Sequence, residues 1–162
     1  MTKFLATQTG QKLAYSFTKG TGPTVVFLGG FKSDMEGSKA IFLEKWAKKR
    51  NRSFLRFDYS GHGQSTGDFL NLGIGDWFND AKQIIELTKN NGLILIGSSM
   101  GGWISLLLSR ELGSRLKGLI TIAAAPDFTE DSMWKNFTED QKKEVSIKVS
   151  FTYHQTTASP IR

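Results

Sequence analysis

"LILIGSSMGGWISLLL", residues 93–108, runs from an unbroken apolar stretch through two serines set among glycines into a second apolar stretch. Leu93–Gly97 reads as a short strand. Its apolar residues are continuous rather than alternating, which means burial on both faces, as in a parallel sheet. Residues 100 to 112 read as a mostly apolar helix ended by Gly113. Between them, Gly97-Ser98-Ser99-Met100-Gly101 fits G-x-S-x-G with Ser99 at its centre. The string alone is weak, because glycine-rich chains produce it by chance. A strand before it and a helix after it supply the setting of a nucleophile elbow. So tight a turn needs residues without side chains on either flank, here Gly97 and Gly101, and Gly102 lets the helix approach the sheet closely. The turn would lift the Ser99 Oγ above the sheet and aim the Met100 N–H at the point where a tetrahedral oxyanion forms. The plainer alternative is a glycine-rich turn with a capping serine, or a phosphate-binding turn. No Walker lysine and no Gly-x-Gly-x-x-Gly accompanies it.

The pattern upstream fits a strand–helix alternation. Lys3–Gln8 and Gln11–Thr18 read as a hairpin about Thr9-Gly10, and Gly20-Thr21-Gly22-Pro23 as a breaker. Thr24–Leu28 is a second continuous apolar run. A helix follows, with Ile41, Phe42, Leu43, Trp46 and Ala47 on one side and Glu44, Lys45, Lys48 and Lys49 on the other. Ser53–Asp58 is a strand, and residues 59–72 a glycine-rich loop. Trp77, Phe78, Ala81, Ile84 and Ile85 make an amphipathic helix stopped by Asn90-Asn91-Gly92. Leu119–Ala125 reads as one more buried strand. The order predicts an open, mostly parallel α/β sheet with helices on both faces. Gly29-Gly30-Phe31 leaves the Thr24–Leu28 strand where a second oxyanion donor belongs, and the Phe31 N–H is the candidate.

Composition narrows the setting. The 162 residues suffice for one domain with a real core. No apolar run reaches membrane-spanning length, and the N-terminus lacks a signal peptide's apolar core. Cysteine is absent, which removes disulfides, thiol nucleophiles and thiolate metal sites, so a cytoplasmic location is expected. Neither a metal nor an organic cofactor is implied. The net charge of +6 comes from scattered lysines, the densest group being Lys45–Arg50 at a helix end, so no nucleic-acid partner is expected.

"FLGGFKSDM", "RFDYSGHGQST" and "LILIGSSMGGW" occur in the order and spacing of the α/β-hydrolase superfamily, which the chain resembles. With "AAPDFTEDSMW", the wording is similar to the branch that holds mitochondrial acyl-protein thioesterases and acyl-glucuronide esterases and their bacterial relatives. The resemblance covers about residues 1–143. It implies an α/β-hydrolase fold and a serine hydrolase of small carboxylic esters or thioesters, working through an acyl-enzyme on Ser99. Such an enzyme needs an acid and a histidine after the serine, in that chain order. Two histidines are present. His62 precedes Ser99 and matches a loop residue of the family. His154 follows Ser99 but sits in the tail. Asp127 is a candidate acid, or a loop aspartate capping the next helix.

The residues after Ser99 are too few for two further strand–helix units of roughly 30 residues each plus a cap. The chain is therefore expected to lack the last two units and to be weakly active or inactive. The alternative is a non-catalytic remnant or binding module. Residues 1–128 read as the N-terminal part of the core, and residues 129–162 as the start of a cap region and an atypical tail. In that tail Thr138 and Gln141 form a capping box, and Val145 to Tyr153 alternate apolar and polar as a half-exposed strand does.

Overall fold

The runs around Val26 and Leu95 become adjacent parallel strands near the middle of a six-stranded sheet. The computed structural model describes residues 1–89 and 92–145. Its strands are β1 (Lys3–Ala6), β2 (Lys12–Thr18), β3 (Thr21–Leu28), β4 (Arg52–Phe57), β5 (Leu93–Ser98) and β6 (Leu116–Ile122). The main helices are α1 (Ser38–Lys49), α2 (Ile74–Ile85) and α3 (Met100–Leu112). The sheet order is β1-β2-β4-β3-β5-β6. The β1–β2 hairpin joins β4 antiparallel, and β4, β3, β5 and β6 run parallel. This is the mostly parallel α/β sheet expected.

Burial follows the pleat. Val25, Phe27, Phe54 and Ile96 share one face and pack on Ala40 and Ala47 of α1, with Leu43, Trp46 and Ile94 around them. The alternate residues Val26, Leu28, Leu55 and Leu95 point the other way and are fully buried. On that side α3 packs on β5 and β6, and α2 packs on α3.

The chain divides into two compact units, Met1–Pro126 and Asp127–Arg162. The sheet and α1–α3 belong to the first. In the second, Thr129–Trp134 form a wide π-type helix, and residues 139–145 are helical. The capping box at its start is present: the Thr138 N–H donates to Gln141 Oε1 (2.8 Å), and the Gln141 N–H to Thr138 Oγ1 (3.3 Å). Val145 lies in that helix, so its part in the expected alternation does not hold. The rest of the alternation, and Asn90 and Asn91, lie outside the described residues.

Three expectations are corrected. First, β3 begins at Thr21, inside the supposed breaker. Its register against β4 shifts between Thr21 and Val25, and Pro23, which has no N–H for a ladder, falls at that irregularity. Second, the faces of α1 are rotated. Glu44 is buried and Phe42 is 69% exposed. The cause is Arg56, which lies two residues beyond Phe54 and so projects from β4 on the α1 face. Its guanidinium donates to Glu44 Oε2 from Nε (3.3 Å) and Nη2 (3.1 Å). From Nη1 it donates to the Met35 carbonyl (2.8 Å) and Glu36 (2.7 Å). The Ser16 and Thr18 hydroxyls donate to the other Glu44 oxygen. A helix turned to present Glu44 inward necessarily turns Phe42 out. Third, the last strand is Leu116–Ile122, not Leu119–Ala125, and it is not buried: Ile120 is 51% and Ile122 38% exposed. It pairs with β5 on one side, and among the described residues no strand pairs with its other edge.

Candidate active site

β5 ends at Ser98 and α3 begins at Met100, so Ser99 alone turns the chain. Its backbone takes φ 53° and ψ −118°. That conformation costs a non-glycine residue about 1–3 kcal/mol and persists only where the surroundings enforce it. Here they do. The Ser99 N–H donates to the Ile122 carbonyl (3.0 Å), and its carbonyl accepts from Gly102 (2.8 Å), Trp103 (3.3 Å) and Ala125 (3.3 Å). The flanking glycines are required by contact. A Cβ on Gly97 would strike the Gly101 carbonyl and Ser105 Oγ, and one on Gly101 would strike the Leu28 carbonyl. One on Gly102 would stand 2.7 Å from the Ala124 Cβ.

Ser99 occupies the N-cap of α3, yet its side chain makes no capping hydrogen bond. The capping-serine alternative therefore does not describe it. The Met100 N–H is the first of the helix and has no intrahelical acceptor. The macrodipole adds partial positive charge at this end.

The loop after β3 lies against this turn. A Cβ on Gly30 would stand 3.4 Å from the Ser99 Cβ and 3.9 Å from its Oγ. The Phe31 N–H is the next amide along. The Ser33 N–H donates to the Gly30 carbonyl (3.1 Å) and closes a turn whose third residue, Lys32, has φ 54°. A positive φ at that position with none at Phe31 is the mark of type II. Beside it opens a cleft of about 150 Å³, lined by Gly30, Ser33, Ser38, Lys39 and Ser98 among others.

Asp58 and His62 fix the loop from below. Asp58 Oδ1 accepts the Met35 N–H (2.6 Å), Oδ2 accepts the Gln64 N–H (2.8 Å), and the Asp58 carbonyl accepts the Ser65 hydroxyl (2.7 Å). Burial raises its carboxyl above the usual range, against the pull of those two N–H donors. Asp80, also raised by burial, accepts the Ser60 N–H (2.8 Å). His62 is buried, ringed edge-on by Tyr59, Phe69 and Trp77. Its Nε2 accepts the Lys32 N–H (3.2 Å), and its Nδ1 lies 3.2 Å from the Ser60 carbonyl. This pairing requires the neutral ring with its proton on Nδ1.

Burial holds the His62 imidazole below its ordinary range, outweighing the Ser60 carbonyl and the Asp58 and Asp80 carboxylates. The native state therefore binds this proton less readily than the unfolded chain does. His62 stabilises the fold fully above the unfolded value of about 6.5, and that contribution drains as pH falls through the folded one. In urea unfolding, stability should drop from pH 7 to pH 5, and the drop should be shallower in His62→Gln. Equal slopes would contradict a buried neutral imidazole.

The site thus brings together Ser99, Met100, Phe31, Gly97 and Gly101. It does not bring His62 to Ser99 as a base: no imidazole among the described residues hydrogen-bonds Ser99. Asp127 belongs to the second unit, is exposed, has φ 54°, and accepts the Glu130 and Asp131 N–H groups through its main-chain carbonyl. That is not the side-chain cap weighed from the sequence. His154 lies outside the described residues. Among the described residues no cluster could hold a metal ion, and no helix is long and apolar enough to cross a membrane. The sequence reading passed over Asp58, Asp80 and the positive φ of Lys32. The string Asp58–Ser65 held the signal, but not which group each residue bonds.

The fold recurs in known proteins. A family model described as serine aminopeptidase, S33, matches residues 21–158. The mitochondrial palmitoyl-protein thioesterase ABHD10 of Homo sapiens is 36% identical over 136 residues, covering 84% of this chain and 44% of that protein. The Rattus norvegicus protein of the same name is 35% identical, covering 84% and 46%. In structure, the mouse α/β hydrolase domain-containing protein 10 superposes with a TM-score of 0.82 at 33% identity, covering 91% of this chain and 59% of that one. The chain spans about half the length of the curated relatives it matches. On this evidence the chain belongs to the serine aminopeptidase S33 family of α/β-hydrolases.

Proposed function

We propose that Ser99 is the nucleophile of a hydrolase acting on small carboxylic esters or thioesters. The observation that carries this reading is the Ser99 backbone at φ 53°, ψ −118°, with its hydroxyl unused as a helix cap. A fold that holds a serine in a costly conformation and leaves its oxygen available has the geometry of an activated nucleophile. In this reading Oγ attacks the acyl carbon and gives up its proton to a base. The Met100 and Phe31 N–H groups hold the oxyanion. The alcohol or thiol leaves with a proton, and water hydrolyses the acyl-enzyme. The base is a histidine outside the described residues. The relatives' name makes a thioester the first substrate to try, and a cytoplasmic location belongs to the same proposal. The cleft beside Ser98 has room for a reacting ester group, not for a whole ligand of the usual 300–1,000 Å³. Acyl selectivity therefore rests on other surfaces.

The test is labelling by a fluorophosphonate and turnover of p-nitrophenyl and thioester substrates, each with Ser99→Ala beside it. Labelling should map to Ser99, and whatever turnover the chain shows above the buffer rate should fall to that rate in Ser99→Ala. Unchanged turnover in Ser99→Ala sinks the proposal. The 162 residues alone should turn over slowly. Fast, Ser99-dependent turnover by them would place His154 in the role of base.

A further inference from the structure

We infer that His62 is a positioning residue for the oxyanion site: its Nε2, by accepting the Lys32 N–H, locks the turn that presents the Phe31 amide to Ser99. This rests on the reading of Ser99 given above. Type I and type II turns differ by a flip of the central peptide, here Phe31–Lys32. The flip seen puts Lys32 at φ 54°, which lysine adopts only at a cost. The bond from Lys32 to His62 holds that flip (3.2 Å). Phe31 supplies the carbonyl carbon of the held peptide, which fixes its Cα from that side, and its own N–H belongs to the preceding Gly30–Phe31 peptide, whose carbonyl is held by the Ser33 N–H (3.1 Å).

The ring is itself held from every side. Its Nδ1 faces the Ser60 carbonyl, and Ser60 is in turn fixed by the Asp80 carboxylate and the Trp77 indole N–H. The Phe31 ring completes the assembly: it packs on Phe69 (5.2 Å) and Trp77 (5.9 Å), the rings that flank His62. Two anchors therefore fix Phe31, its side chain on the aromatic cluster and its following peptide on His62. An oxyanion donor must sit within a few tenths of an ångström of its working position to act in the transition state.

Two variants separate the acceptor from the packing. His62→Phe keeps a ring and removes the acceptor. His62→Gln restores an acceptor oxygen at similar reach. Donors to an oxyanion act in the transition state and not on bound substrate, so the loss belongs to kcat. His62→Phe should lower kcat for p-nitrophenyl esters by about 10-fold or more with KM unchanged. It should weaken binding of an alkylboronic acid, which forms a tetrahedral adduct on the serine, by a similar factor. His62→Gln should recover most of both. The Lys32 amide proton should move upfield in His62→Phe and return in His62→Gln. Wild-type kcat and boronate affinity in His62→Phe would overturn the inference, as would a loss confined to KM or one that His62→Gln fails to rescue. If boronate binding to the wild type survives Ser99→Ala, the nucleophile reading itself is wrong, and the two failures are thereby told apart.

Discussion

Gly101→Ala is expected to destabilise the protein by about 3 kcal/mol or more, though alanine is the better helix former. Gly101 is the second residue of α3, where propensity alone would reward alanine by about 1 kcal/mol. Against that stands the contact. A Cβ there would overlap the Leu28 carbonyl oxygen and stand 2.5 Å from the Gly29 carbonyl oxygen. Both are main-chain atoms of the β3 end, and neither can rotate away as a side chain would. Either α3 lifts off the sheet or β3 bends, and both movements open the core around Met100 and Leu28, each fully buried. The clash thus outweighs propensity severalfold. Gly75→Ala is the control, since an added Cβ there meets nothing within 4 Å, and it should be neutral or slightly stabilising. Urea midpoints decide it. A Gly101→Ala stability within about 0.5 kcal/mol of wild type would mean that α3 is not pressed onto β3 as described.

Arg56→Met should cost about 3–5 kcal/mol at pH 7, because it removes the buried charge partner of Glu44 and leaves only the exposed Lys48 ammonium (3.3 Å) and two hydroxyls. Burial alone would raise the Glu44 carboxyl; the Arg56 guanidinium, the Thr18 and Ser16 hydroxyls and Lys48 together hold it below its ordinary value. In the wild type Glu44 therefore adds stability above about pH 4.5 and loses it as pH falls. Without Arg56 the largest of the lowering influences is gone, so the native state binds the proton more tightly than the wild type does and this contribution to stability shrinks. The gap between Arg56→Met and wild type should be widest near pH 7 and should narrow toward pH 4. Adding Glu44→Leu to Arg56→Met should recover part of the loss, since an apolar pair has no charge to desolvate. A single-variant cost below 1 kcal/mol, or a gap that does not narrow in acid, would show that the pair is not buried as its geometry indicates.

The centre of the sheet was legible because continuous apolar runs leave few alternatives: Val25–Leu28 and Leu93–Ile96 each have one plausible use, as strands covered on both faces. The turn at Ser99 was legible because Gly97 and Gly101 mark where the backbone comes too close for a side chain. What escaped was set by partners distant in sequence. Glu44 looked like a surface residue because nothing local announces that Arg56, on another strand, will need it. Ile120 and Ile122 looked buried because they are apolar, while their exposure depends on the strand's place at the sheet edge. At the site, the position of the turn at Ser99 was readable, whereas the hydrogen bonds of Asp58 and His62 were not. Both act through main-chain N–H groups of a loop upstream of β4, and a main-chain donor carries no sequence signature.

Ser99 has both of its main-chain polar groups committed, its N–H to the strand that ends at Ile122 and its carbonyl to three amides at once. A residue fastened in this way cannot recoil when a bulky group becomes bonded to its oxygen. One soft coordinate is left, rotation about χ1. In the reaction proposed above, the difference between a serine at rest and a serine carrying an acyl group would then reduce to a choice among three staggered positions of one oxygen atom.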